Sequence, residues 1–123
     1  MNVVYLVLGG SAGTLSRYYL GLWITNATGA RSGATLAINV LGSFVIGLFL
    51  QLGADRSTWS NGLVLLVAVG FLGGFTTFST FAWQTLQLME GGEVAHGLLN
   101  IAASVGLGLA AVWLGATLVR TLA

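Results

Sequence analysis

The sequence predicts an all-α membrane protein with four transmembrane helices. Of its 123 residues, 56% are hydrophobic and 6% are charged, whereas an ordinary soluble domain contains about 25% charged residues. The mean hydropathy is +0.93, and the few charged residues leave long apolar stretches between them. Because a bilayer core about 30 Å thick requires about 20 apolar residues per helix, this chain is long enough for four spans joined by short connections.

The spans are expected at residues 3–23, 34–52, 63–89 and 98–118, within a single transmembrane domain over residues 1–123. Polar, turn-forming segments separate them at residues 25–33, 53–58 and 90–93. Glycine is abundant, and in lipid it lets helix backbones approach closely. We expect this packing role for the glycines of the second and fourth spans, which are Gly42, Gly47, Gly106, Gly108 and Gly115.

The first span contains Arg17, the one charged residue well inside a predicted span. Its long side chain can extend to the membrane surface or hold a positive charge in a water-filled vestibule. No acidic residue lies in any span to pair with it. The vestibule or the interface is therefore favoured over a buried ion pair.

The second span carries a line of polar side chains, with Thr35 one turn before Asn39 and Ser43 one turn after it. Residues four apart share one helix face, and an amide in lipid must find a partner or contact water. Asn100 and Ser104 form a similar pair on the fourth span. Two interpretations stay open for these residues, hydrogen bonding between helices and the lining of a hydrated path.

The third span is too long and too polar in its middle for one straight helix. At about 1.5 Å per residue, residues 63–89 would extend roughly 40 Å. Gly73 and Gly74 each weaken the helix by about 1 kcal/mol, and the hydroxyls that follow compete for backbone groups. We predict a break here whose freed carbonyls suit a cation. The alternative is a continuous tilted helix whose hydroxyls bond to the preceding turn.

Four phenylalanines lie near one face of this segment, namely Phe71, Phe75, Phe78 and Phe81. Such a stripe usually packs against neighbours or faces lipid. A second interpretation is that ring edges, which are partially positive, stabilise an anion. They would do so without a formal charge, which suits a channel because the ion must also be released.

The arginines are almost balanced between the two sides of the predicted topology. Arg56 and Arg120 lie on one side, and Arg31 and Arg17 lie on the other or near it. An arginine excess on one side normally fixes orientation. We therefore predict that the chain inserts in both orientations and functions as an antiparallel dimer, which would also enclose a path for water and ions.

Several functions are disfavoured by what the sequence lacks. No Asp, Glu or Lys lies within any predicted span, so a proton-coupled pump has no titratable group in the membrane. There is no convincing set of nucleophile, base and orienting group, so we expect no enzyme. A net charge of +1 in separate loops offers no patch for nucleic acid. Passive permeation fits best.

Motifs in the first three predicted helices form a pattern that extends over nearly the whole chain. In the first two helices it consists of Gly9, Gly10, Gly13, Arg17 and Tyr18, followed by Thr35, Asn39, Gly42 and Gly47. Its most specific part is in the third segment, with Gly70-Phe71, Gly73-Gly74 and Thr76-Thr77-Phe78-Ser79-Thr80-Phe81. This pattern resembles that of the CrcB/Fluc family of fluoride channels.

The resemblance implies an antiparallel, dual-topology homodimer in the inner (plasma) membrane, through which fluoride leaves the cell passively. It also implies a structural Na⁺ at the dimer centre, bound by the backbone carbonyls of Gly73 and Thr76. The fluoride pathway would then include seven side chains, those of Asn39, Phe78, Phe81, Ser79, Thr80, Ser104 and Arg17.

Two other classes match parts of the sequence. A small four-helix, dual-topology multidrug exporter has the same size and charge balance, but it needs a carboxylate in the membrane, and this chain has none there. A non-transporting assembly subunit would explain the glycine-rich packing. It would leave the interrupted third segment without a purpose.

Overall fold

The computed structural model describes residues 1–56 and 58–122, and this part of the chain is all-helical. Ser57 and the side chains of Asp55 and Arg56, which entered the loop and charge predictions, lie outside the described residues. The elements are α1 (Asn2–Thr28), α2 (Arg31–Arg56), α3 (Asn61–Val64), a π-helix (Leu65–Leu72), α4 (Gly73–Phe75), α5 (Phe78–Glu90) and α6 (Val94–Leu122).

The helices extend beyond the predicted spans because hydropathy marks only the apolar part of a helix. Residues 25–28 and 31–33, expected in a connection, are helical. Helix α1 ends at Gly29, whose φ of 74° is left-handed and whose N–H donates to the Thr25 carbonyl. Glycine adopts this conformation without steric cost. Only Gly29 and Ala30 therefore separate α1 from α2.

Three helical segments are long and apolar enough to cross a membrane, namely Arg31–Ala54, Asn61–Glu90 and Val94–Leu122. Helix α1 has 27 residues, which is sufficient length. It is less apolar because glycines, hydroxyl residues and Arg17 occupy its middle. By hydropathy alone, α1 is thus the weakest of the four expected spans.

Glycines bring the helices together as the sequence predicted for the second and fourth spans. A Cβ atom at Gly47 would overlap the Val112 carbonyl, and one at Gly115 would overlap the Phe44 carbonyl, so α2 and α6 touch through their backbones. Gly106 differs, since no described atom lies within 4 Å of a Cβ placed there. Gly106 is exposed, because no other described helix packs on that side of α6.

Helix α1 packs against the π-helix in the same way. A Cβ at Gly9 would overlap the carbonyl oxygen of Leu66, and one at Gly13 would overlap that of Phe71. The Gly73 N–H donates to the Ala68 carbonyl five residues earlier, which is the hydrogen-bond spacing of a π-helix. These contacts hold the residues before Thr76 firmly against α1.

Candidate functional site

The third helical segment changes conformation at Thr76 and Thr77. Thr76 has φ −87° and ψ 155°, and Thr77 has φ −150° and ψ 114°, so both residues are extended. The sequence placed this change at Gly73 and Gly74, but both glycines are helical. The difference arises because the partners for non-helical backbone are available at Thr77.

Asn39 on α2 supplies two of these partners. Its Nδ2 donates to the Thr77 carbonyl at 3.0 Å, and its Oδ1 accepts the Thr77 N–H at 2.8 Å. The side-chain amide thus substitutes for a neighbouring peptide group, and it satisfies both backbone polar groups of Thr77 inside the protein. This reciprocal pair, the Asn39–Thr77 clasp, ties the extended residues to α2.

The Thr77 side chain supplies the third partner. Its Oγ1 accepts the Thr80 N–H at 3.3 Å and so caps α5. The same hydroxyl contacts Thr80 Oγ1 at 3.1 Å and Ser79 Oγ at 3.4 Å. Three hydroxyls therefore cluster at the start of α5.

These bonds withdraw two amide donors from the helical pattern. In a continuous α-helix, the N–H groups of Thr77 and Thr80 would donate to the carbonyls of Gly73 and Thr76, four residues earlier. They donate to Asn39 and to Thr77 Oγ1 instead. The carbonyl oxygens of Gly73 and Thr76 thereby lose their usual intrahelical donors, and uncharged oxygens of this kind suit a hard cation such as Na⁺.

A cavity of about 320 Å³ lies beside the extended residues. Its walls come from α2, the end of the π-helix, α4, α5, α6 and the residues between α4 and α5. It includes six residues that the sequence predicted for an ion site, which are Asn39, Gly73, Thr76, Phe78, Phe81 and Ser104. We call it the phenylalanine cavity. None of its described lining residues is charged.

Phe78 and Phe81 are neighbours with very different environments. Their ring centroids are 5.5 Å apart and their planes are inclined by 54°. Phe81 is buried at 8% exposure, whereas Phe78 is 78% exposed. Of the four phenylalanines predicted to share one face, only Phe78 and Phe81 line the cavity. Phe71 and Phe75 stack on each other, with ring centroids 5.8 Å apart, and do not line it.

Ser104 contributes an unsatisfied hydroxyl to this cavity. Its Oγ is buried and has no hydrogen-bond partner among the described residues. Leaving such a group unpaired costs about 1–3 kcal/mol. Asn100, one turn before Ser104 on the same helix, donates to Thr85 Oγ1 at 2.9 Å. The interpretation as a hydrogen bond between helices therefore holds for Asn100.

A second cavity, of about 500 Å³, lies on the other side of Thr77. Arg17 and Arg31 both line it, together with Thr80, and we call it the arginine cavity. The Arg17 Nε donates to the Gly74 carbonyl at 3.0 Å. None of its described lining residues is acidic, so the two guanidinium groups give this cavity a positive potential.

The structure thus divides the predicted site residues between two cavities. Arg17 and Thr80 line the arginine cavity, and the exposed Ser79 lines neither cavity. Thr77 lines both cavities but received no individual role from the sequence. The available signal was a threonine three residues before Thr80, directly ahead of an apolar helix, which is typical of an N-cap.

Comparison with known proteins identifies the family. The family model "CrcB-like protein, Camphor Resistance (CrcB)" matches residues 4–116. A protein of Rhizobium etli named "Fluoride-specific ion channel FluC" is 50% identical over 119 residues, which is 96% of this chain and 95% of that protein. Proteins of the same name from Solibacter usitatus and Thermus thermophilus are 46% and 47% identical, over 98% and 89% of this chain and 99% and 87% of theirs.

The family match covers most of the chain, and the relatives align over nearly their full length. These matches agree with the three helical segments that are both long and apolar enough to cross a bilayer. The chain is a multi-pass membrane protein that belongs to the CrcB family.

Proposed function

We propose that this chain forms a fluoride-selective channel through which fluoride leaves the cell down its electrochemical gradient. The observation that carries the proposal is the phenylalanine cavity, where an amide, hydroxyls and two aromatic rings meet without any charged lining residue among those described. The name of the relatives, "Fluoride-specific ion channel FluC", supports it. By lowering cytoplasmic fluoride, such a channel in the inner membrane would protect the enzymes of the cell.

The chemistry of the cavity suits a small, strongly hydrated anion. Dehydration of fluoride requires replacement donors, and the side-chain amide nitrogen of Asn39 carries two hydrogens, of which the clasp uses one. The Ser104 hydroxyl is a further donor without a partner in the described chain. The ring edges of Phe78 and Phe81 add partial positive charge. Uncharged donors of this kind bind an anion weakly enough for release.

We infer that the working unit is an antiparallel homodimer of chains inserted in opposite orientations. In the single chain, Gly73 is exposed and Phe78 is 78% exposed, although both belong to the candidate site. A second copy laid against this face would enclose them. In this arrangement all four helical segments cross the bilayer, and the third is interrupted at Thr76 and Thr77.

A structural Na⁺ at the dimer centre fits the carbonyl groups available there. Gly73 and Thr76 of each copy would hold it through oxygens whose usual helical donors are engaged elsewhere. When bound, the ion supplies a fixed positive charge between the two interrupted segments. Purification in buffers that contain a large organic cation in place of Na⁺ should then reduce the fluoride flux and weaken the dimer.

The multidrug exporter is not favoured, because none of the described residues that line either cavity is a carboxylate. We also infer that the chain is not an enzyme, since a channel family requires no covalent chemistry.

Fluoride efflux from liposomes that contain the purified protein tests the proposal. When a potassium ionophore lets K⁺ leave together with the anion, a fluoride electrode should record rapid fluoride release. Chloride-loaded vesicles should show little chloride release under the same conditions. A folded protein that released neither ion, or chloride as fast as fluoride, would contradict it. Reporter fusions at the C-terminus test the topology, because a signal from one side of the membrane alone is incompatible with insertion in both orientations.

A further inference from the structure

Ser43 lies on α2 one turn beyond Asn39 and lines the phenylalanine cavity together with Ser104. A Cβ built at Gly108 on α6 would lie 3.8 Å from Ser43 Oγ. The Ser43 hydroxyl therefore points towards α6. Ser104 is one helical turn before Gly108 on that helix. Two hydroxyls from facing helices thus border the same space.

These two serines do not satisfy their hydroxyls in the way that hydroxyl residues of apolar helices commonly do. A Ser or Thr within a helix often donates to the carbonyl four residues earlier. Thr35, Thr76 and Thr85 each do so, at 3.3, 2.9 and 2.7 Å respectively. Neither Ser43 nor Ser104 makes a hydrogen bond to any other described residue. Neither hydroxyl hydrogen is therefore committed to another group of the described chain.

The separation of α2 and α6 is fixed close to these serines. A Cβ at Gly47 would overlap the Val112 carbonyl, and both residues lie one turn beyond the Ser43 and Gly108 level. Because interiors are close-packed, such backbone contacts resist small adjustments of the helices. Ser43 and Ser104 are therefore held at the edge of the cavity and do not depend on each other for their positions.

We propose that Ser43 is a further anion-contacting residue, which together with Ser104 binds the dehydrated anion one turn of α2 beyond Asn39. This inference rests on the proposed fluoride channel and extends its pathway onto the contact between α2 and α6. Hydroxyl donors without a nearby charge favour a small, hard anion.

The test measures fluoride efflux from liposomes for Ser43→Ala, with Ser11→Ala as the matched control. Ser11 is exposed on α1 and lines neither cavity. We expect Ser43→Ala to slow efflux about tenfold, the effect of losing about 1.4 kcal/mol of stabilisation for the passing ion. Ser11→Ala should leave the rate unchanged.

A second pair of variants separates hydrogen bonding from packing. The Gly108 site accepts a Cβ at ordinary contact distance, so Ser43→Ala/Gly108→Ser returns a hydroxyl from the opposite helix. This double variant should recover most of the efflux rate, and Ser43→Ala/Gly108→Ala should not. Equal recovery by both would overturn the proposal, because filled volume would then explain the effect. Normal efflux by Ser43→Ala would overturn the role of Ser43 and leave the proposed channel function standing. Absence of fluoride efflux from the unmodified protein would overturn both.

Discussion

The two cavities on either side of Thr77 differ in volume and in the charge of their lining residues. The phenylalanine cavity holds about 320 Å³ and has an amide, hydroxyls and aromatic rings in its wall. The arginine cavity is larger, about 500 Å³, and two guanidinium groups line it. A single residue, Thr77, belongs to both walls.

In the proposed channel, this difference would separate the attraction of the anion from its release. Arginines attract anions over a Debye length of about 8 Å at physiological salt, which raises the local anion concentration. Once water is removed, the same charge would hold the anion too tightly for rapid release. In this structure the arginines line the larger cavity, and uncharged donors line the smaller one.

Loss of the clasp should have the largest effect, because it removes donors from one cavity and loosens the wall of both. In Asn39→Ala the Thr77 N–H and carbonyl lose their partners, at a cost of about 1–3 kcal/mol for each unsatisfied group. We expect fluoride efflux to fall at least about a hundredfold, which corresponds to about 2.8 kcal/mol. Asn61→Ala, at an exposed position on α3, is the matched control. Retention of more than half of the efflux rate by Asn39→Ala would contradict a role for the clasp.

Removal of one ring should have the next largest effect, and it should be confined to the phenylalanine cavity. Phe78 is 78% exposed, so Phe78→Ala should leave the fold of the single chain intact. We expect a decrease in fluoride efflux of about tenfold, since an aromatic contact is worth about 0.5–1.5 kcal/mol. Leu109→Ala, which alters a side chain of similar exposure on α6, should have no such effect. Size-exclusion chromatography should show a dimer for both variants. Normal fluoride efflux by Phe78→Ala would indicate that the ring contacts lipid and not the ion.

Neutralisation of Arg31 should have a smaller effect that depends on salt. Arg31 is the first residue of α2, where the helix dipole disfavours a cation, so Arg31→Gln should not destabilise the helix. We expect efflux to slow about threefold at low ionic strength and to be unchanged near 1 M salt, where the Debye length is about 3 Å. Arg120→Gln is the control, because Arg120 bonds to Gln51 and lines neither cavity. A slowing that persists at high salt would argue against attraction at a distance.

The pH dependence should be the smallest effect. None of the described residues that line the two cavities is Asp, Glu, His or Lys. His96 and Glu93 line neither of these cavities, although the cavity that they do line shares Arg31 and Gln84 with the arginine cavity. Efflux should therefore change less than about twofold between about pH 6 and pH 8. A strong dependence would favour exchange for protons, as in the alternative multidrug exporter.

The sequence predicted the general architecture because it depends on local quantities. Apolar length predicted the helical segments, and the surplus of polar residues between positions 70 and 81 indicated where one of them would be irregular. The glycines at positions 47 and 115 were correctly assigned to helix contacts, since small residues have that role in lipid. The packing role predicted for Gly106 was wrong within the single chain. No local pattern indicates which side of α6 faces another helix.

The details of the site depend on contacts that no local pattern contains. Asn39 and Thr77 are 38 residues apart, and their pairing decides which peptide groups leave the helix. Helix propensity pointed to Gly73 and Gly74, yet the extended residues lie just after them. The division of Arg17 from Phe78 between two cavities likewise depends on tertiary packing. The roles of these residues in ion passage and in Na⁺ binding stay predictions.

The two-residue connection at Gly29 and Ala30 has a consequence for biosynthesis. Helix α1 is the least apolar of the long helices and is poorly suited to partition into lipid alone, whereas α2 is strongly apolar. An arginine near the middle of a helix makes its insertion free energy less favourable, whereas aliphatic residues make it more favourable. With so short a connection, α1 and α2 would leave the ribosome and enter the membrane as one helical hairpin. Lengthening that connection should therefore reduce the fraction of newly made chains in which α1 becomes integrated.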